Sequence, residues 1–175
     1  MKNLLPKEIV DLAEKVIAQN RVAGRSVAVA ESCTGGLVSA ALTEVAGSSD
    51  VFSCGFSTYS NHAKQKMLDV SDDLLDAFGA VSIAVAWEMA KGALEISECD
   101  VAVAITGVAG PSGGTEKKPV GTVVFAKAEK GKDPEDVVAD RKNFGTDKTR
   151  AEIRLQAALV ALELLLPDEA EKPEP

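Results

Sequence analysis

The chain has 175 residues, 46% of them apolar, and a formal net charge of −8 from 19 basic and 27 acidic side chains. A composition this apolar excludes a disordered polymer, and the length suits one domain with a full core, expected over residues 1–167. The acidic balance, with basic residues paired only briefly as in Lys117-Lys118, argues against nucleic acid or an anionic membrane surface as partner. No apolar run reaches the roughly 18 residues that cross a bilayer, and the acid-bearing amphipathic N-terminus does not read as a signal peptide. The three cysteines, Cys33, Cys54 and Cys99, fit reduced thiols in a cytoplasm better than a disulfide framework.

In chain order, Pro6 suits a helix start, and Ile9, Val10, Ala13, Val16 and Ile17 recur at helical spacing up to Asn20. Residues 26–31 form a short apolar run that reads as a buried strand. A second helix is expected from about Thr34 to Val45. Residues 51–59 alternate in part and suggest a strand, with Gly55 as a possible bulge. Short helices follow at 62–68 and after Ser71, whose side chain is placed to cap, with Gly79 as the stop. Ser82 caps a longer helix that sets Ile83, Ala86, Trp87, Ala90 and Leu94 on one face. Residues 101–105 are a buried strand. Two more strands, near 121–127 and 137–144, pair as a hairpin. Thr149-Arg150-Ala151-Glu152 fits a capping box before the last helix, and residues 168–175 read as a disordered charged tail.

The order α β α β α α α β β β α implies a three-layer α/β/α sandwich around a mixed, mostly parallel sheet of about five strands. Ligands of such sheets bind beyond the carboxyl ends of the parallel strands. Two loops of small residues leave strands there: Glu31-Ser32-Cys33-Thr34-Gly35-Gly36 and Thr106 to Gly114. They can face one crevice.

The first loop has two readings. Either its helix-start N–H groups hold an anion beside the Ser32 hydroxyl, or Thr34 is an N-cap and the glycines form a tight turn. Serine needs a base to become a nucleophile. His62 is the sole histidine and suits a surface helix, so a lysine is the alternative. Lys64 and Lys66 follow the second strand; either is a base only if its pKa is lowered, and otherwise a solvated surface lysine. Tyr59 is placed to relay a proton or to orient such a lysine. Arg150 and Arg154 either clamp a phosphate or lie on a solvated helix face. No carboxylate or histidine spacing suggests a metal site.

Several long motifs, in order, resemble the CinA C-terminal domain family: Ala30-Glu31-Ser32-Cys33-Thr34-Gly35-Gly36, Tyr59-Ser60-Asn61 with Lys64, Gly79-Ala80-Val81-Ser82, Thr106 to Pro111 with Gly113-Gly114, and Lys118-Pro119-Val120-Gly121. The similarity runs from about Pro6 to Leu166. It implies a nicotinamide mononucleotide amidohydrolase that releases nicotinate mononucleotide and ammonia in pyridine nucleotide salvage. It further implies a serine–lysine dyad with neither metal nor cofactor, with Ser32 as nucleophile, Lys64 as base and Tyr59 as helper. Thr34, Gly35 and Gly36 would then stabilise the tetrahedral intermediate or hold the ligand. Thr106, Gly107, Ala109 and Gly110 would shape the substrate pocket. Arg150, in a looser version of the family's element before the last helix, would contact substrate, with Arg154 as fallback. The resemblance is to a stand-alone form, without the larger domain that precedes this one in many relatives. A homodimer is expected. The alternatives are a catalytically silent nucleotide-binding or competence-associated interaction module, and an amidase for another small amide.

Overall fold

The computed structural model describes residues 3–133, 136 and 138–168; of the expected charged tail, residues 169–175 lie outside the described residues. The elements are α1 (Lys7–Val22), β1 (Val27–Glu31), α2 (Leu37–Thr43), β2 (Phe52–Ser57), α3 (Asn61–Leu68), α4 (Asp72–Phe78), α5 (Ile83–Ser97), β3 (Val101–Gly107), β4 (Thr122–Glu129), β5 (Val138–Asn143) and α6 (Arg150–Leu164). They follow the expected order.

The five strands lie in the order β2-β1-β3-β4-β5. β1 pairs in parallel with both β2 and β3, whereas β3–β4 and β4–β5 are antiparallel. The sheet is mixed for the expected reason. Helices carry the chain between the early strands, and the late strands are joined without a crossover. The chain leaves β1 toward β2 on one side and reaches β3 on the other, so the carboxyl end of β1 opens on a crevice between diverging connections.

Alternation along the strands builds two cores. Val27 and Val29 of β1, with Val101, Val103 and Ile105 of β3, face α1, α2 and α6. Ala28 and Ala30, with Ala102 and Ala104, face α5 and the short helices α3 and α4. Branched side chains fill the first layer; alanines on the second let α5 approach the sheet closely. The closeness extends to α3. A Cβ on Gly92 of α5 would stand 2.0 Å from the Leu68 carbonyl oxygen.

Four local expectations change. The β-bulge lies between Phe52 and Cys54, not at Gly55. Gly55 answers a close approach instead: a Cβ there would stand 2.3 Å from Ser39 Oγ. α2 begins at Leu37, with Gly36 at φ +88° as its N-cap, so Thr34 is not the cap. The Ser71 side chain caps nothing, and its amide donates to Glu88 Oε2 at 2.7 Å. The buried stripe of α5 is Val85, Ala86, Met89, Ala90 and Ala93. Ile83 is exposed and Trp87 is half-buried under the Lys91 ammonium, because the alanine layer of the sheet selects the small residues of the helix.

Candidate active site

Ser32 is the first residue after β1, and its amide donates to the Ile105 carbonyl at 2.9 Å, extending the β1–β3 pairing by one bond. The turn that follows is held from within. The Gly35 amide donates to the Ser32 carbonyl at 3.0 Å. The Glu31 side chain is wholly buried and accepts from Val38 N at 3.1 Å, Ser39 N at 2.9 Å and Ser39 Oγ at 2.7 Å. Glu31 thus caps α2 from the end of β1, and the expected open anion site at that helix start is filled by the protein's own carboxylate. The absent side chain of Gly55 leaves room for Ser39 in this arrangement.

Lys64 arrives from the other side of β1. Ser60 opens α3 by accepting from Ala63 N, and Lys64 and Leu68, one turn apart, form the buried side of this helix. Lys64 is 1% exposed, whereas His62 and Lys66 are exposed. The Lys64 ammonium donates to Ser32 Oγ at 3.1 Å and to the Thr58 carbonyl at 2.8 Å. No carboxylate among the described residues pairs with it. Burial without a counter-ion lowers its pKa to about 8. Only a Cys33 thiolate would oppose that shift, and burial of Cys33 raises its thiol to about 11, so the thiol stays neutral. At neutral pH a useful fraction of Lys64 is therefore the free amine, whose lone pair can accept the Ser32 proton while an N–H keeps its bond to Thr58.

Ser32, Lys64, Tyr59, Thr106, Gly107 and Arg150 line one pocket of about 190 Å³, with Ala109, Cys33, Ala80 and Val81 completing its wall. The two small-residue loops do share a crevice. Thr106 Oγ1 donates to the Ala80 carbonyl at 2.9 Å and fixes that wall. Arg150 donates to the Gly110 carbonyl at 2.8 Å and to the Tyr59 hydroxyl at 2.9 Å. Tyr59 is 63% exposed, so its hydroxyl serves the rim with Arg150 and is not bonded to Lys64. Gly110 joins the site through its carbonyl. Arg154 turns away from the pocket, donating to the Thr34 carbonyl at 2.7 Å.

Thr34, Gly35 and Gly36 do not line the pocket; Thr34 is fully buried and its hydroxyl has no partner among the described residues. The amide N–H groups of Cys33 and Thr34, directly after Ser32, find no oxygen acceptor among the described residues. Sequence reasoning missed four contributors. Thr58 acts through a backbone carbonyl, which no side-chain pattern marks. Glu31 sits beside the motif serine but looked like a strand end. Ala80 and Val81 belong to a motif whose residues carry no chemistry of their own. Among the described residues no group of three His, Cys, Asp or Glu side chains is placed to hold a metal ion.

Comparison with known proteins agrees with this architecture. The profile of the CinA C-terminal domain matches residues 9–168. The chain is 46% identical over 160 residues to a protein of Enterobacter agglomerans named nicotinamide-nucleotide amidohydrolase PncC, covering 91% of this chain and 94% of that one. The protein of the same name from Escherichia coli K12 is also 46% identical, over 158 residues, 90% of this chain and 93% of that one. The crystal structure of the competence/damage inducible protein CihA from Agrobacterium tumefaciens superposes with a TM-score of 0.87 at 46% identity, covering 93% of this chain and 96% of that one. With the match running through both small-residue loops and the helix that carries Lys64, the chain belongs to the CinA C-terminal domain family.

Proposed function

We propose that this protein is a nicotinamide mononucleotide amidohydrolase working through Ser32 and Lys64. The observation that carries the reading is the buried Lys64 amine, unpaired with any described carboxylate, 3.1 Å from Ser32 Oγ. Relatives 46% identical over 93–94% of their length are named nicotinamide-nucleotide amidohydrolase.

Neutral Lys64 takes the Ser32 proton as Oγ attacks the carboxamide carbon of the nicotinamide. The amide N–H groups of Cys33 and Thr34 are the candidate donors to the oxyanion, so of the expected Thr34, Gly35 and Gly36 only Thr34 keeps that role. The intermediate collapses, the C–N bond breaks, and Lys64 returns its proton to the departing nitrogen, which leaves as ammonia. Water, deprotonated by the same amine, then adds to the acyl-enzyme and releases nicotinate mononucleotide and Ser32. Arg150 and Tyr59, bonded to each other at the rim, position the substrate. The working unit is a single domain that pairs as a homodimer in the cytoplasm.

Purified protein incubated with nicotinamide mononucleotide should release ammonia and nicotinate mononucleotide in equal amounts. Ser32→Ala should lower that rate by about a thousandfold or more. A folded wild type that releases no ammonia refutes the reading.

A further inference from the structure

The turn that follows Ser32 is held by two side chains, one at each end. Glu31 accepts from the amides of Val38 and Ser39 at the far end. Arg154 of α6 holds the near end. Its Nη2 donates to the Thr34 carbonyl at 2.7 Å, where the Leu37 amide also donates at 3.3 Å. The same nitrogen lies against Gly35, whose added Cβ would stand 3.6 Å from it. Arg154 forms no ion pair with a described carboxylate, and its Nε is buried without a hydrogen-bond partner. Among the described residues this guanidinium is committed to the Thr34 carbonyl.

We propose that Arg154 is the positioning residue of the oxyanion turn: by holding the Thr34 carbonyl it keeps the Cys33 and Thr34 amides aimed at the oxygen of the attacked amide. The proposal rests on the amidase reading above.

Three observations converge. The Thr34–Gly35 peptide is a link in a chain of bonds. Its carbonyl accepts from Arg154, and its N–H donates to the Ser32 carbonyl at 3.0 Å. A charged donor at one end of a peptide strengthens the bond made at the other, so Arg154 closes the turn onto the nucleophile's own residue. Cys33 and Thr34 lie inside that closed turn. The turn is otherwise soft. Gly35 and Gly36 take φ of +59° and +88°, and the Thr34 hydroxyl makes no capping bond that would fix it locally. The brace itself is firm. The Thr149–Glu152 capping box fixes the start of α6, and Arg150, one turn before Arg154, holds the Gly110 carbonyl on the opposite wall. Arg154 stays outside the pocket, so its loss should fall on the transition state and not on substrate binding.

The test measures ammonia release from nicotinamide mononucleotide by wild type, Arg154→Met and Arg154→Lys. Both replacements are good helix formers, but only lysine keeps a charged donor. Arg154→Met should lower kcat by about thirtyfold or more and leave KM within about threefold, somewhat less than the loss of an oxyanion donor itself. Arg154→Lys should retain at least about fivefold more kcat than Arg154→Met. Both should keep the pH midpoint of wild type, because burial and not Arg154 lowers the Lys64 pKa. Wild-type kcat in Arg154→Met, equal kcat in the two variants, a loss carried by KM, or an Arg154→Met chain that melts below the assay temperature overturns the positioning role. A wild type that releases no ammonia overturns the amidase reading with it, whereas an active wild type with an indifferent variant overturns the role of Arg154 alone.

Discussion

Lys64 is the residue on which chemistry and stability pull in opposite directions. With a pKa near 8, kcat/KM should rise about tenfold per pH unit below that value and level off above it. A pH–rate profile flat from 6 to 9 would contradict Lys64 as the base. The same shift has a stability cost. The unfolded chain holds this proton up to about pH 10.5 and the folded chain only to about 8, so the penalty is complete below pH 8 and fades as pH rises toward 10.5. Its size is about 3 kcal/mol by the pKa difference, partly offset by the bonds to Ser32 and Thr58. Lys64→Met should therefore abolish turnover while raising Tm by several degrees, an advantage that narrows in melts run from pH 8 to pH 10. A variant less stable than wild type at pH 7 would show that burial costs this lysine nothing. The neutral Cys33 thiol next door should resist alkylation at pH 8, which separates a serine enzyme from a cysteine one.

At the scale of elements, the site depends on two close approaches made by glycine. α2 lies against β2 at Gly55, and α5 lies against the end of α3 at Gly92. The second is the less forgiving, because the obstructing atom is a backbone oxygen and not the tip of a side chain. Gly92→Ala should push α3 outward. The expected loss is about 2 kcal/mol or more in urea unfolding, together with a fall in turnover, since α3 carries Lys64. Retention of both wild-type values would mean that α3 is not fixed by α5. Glu31→Ala tests the other contact. It strands the amides of Val38 and Ser39 and should cost about 1–3 kcal/mol.

On the scale of the whole molecule, one network of ion pairs lies at the end of the sheet away from the site. Glu129, at the end of β4, pairs with Lys127 at 3.2 Å, Lys132 at 2.8 Å and Arg25 at 3.6 Å, and Lys127 also meets Asp168 at 3.6 Å. Burial works against the Glu129 charge, but the lysines more than offset it and its pKa is lowered. Its contribution to stability is therefore present at neutral pH and lost as pH falls through that lowered value. Glu129→Gln should reduce stability at pH 7 by about 2 kcal/mol, with a smaller difference near pH 4, and should leave turnover intact. Urea titrations at the two pH values decide it; a difference that grows toward pH 4 would reverse the assignment.

The sequence by itself determined the element order, the mixed sheet, the capping box at Thr149 and the meeting of two small-residue loops at one crevice. Each follows from local information: apolar periodicity, glycine and proline punctuation, and the length of the links between strands. Its motifs also pointed to Ser32 and Lys64 as a pair, yet spacing alone favoured Lys64 as a solvated surface residue over a base. Only the tertiary structure decided that Lys64 is buried, because its environment is supplied by β1, β2 and the Thr58 carbonyl, which lie elsewhere in the chain. Tertiary contacts likewise turned Arg150 toward the pocket and Arg154 away from it, four residues apart on one helix. They gave the α2 start to Glu31 and chose the buried stripe of α5. A side chain's charge state and its direction depend on what is packed around it, and local sequence does not carry that information.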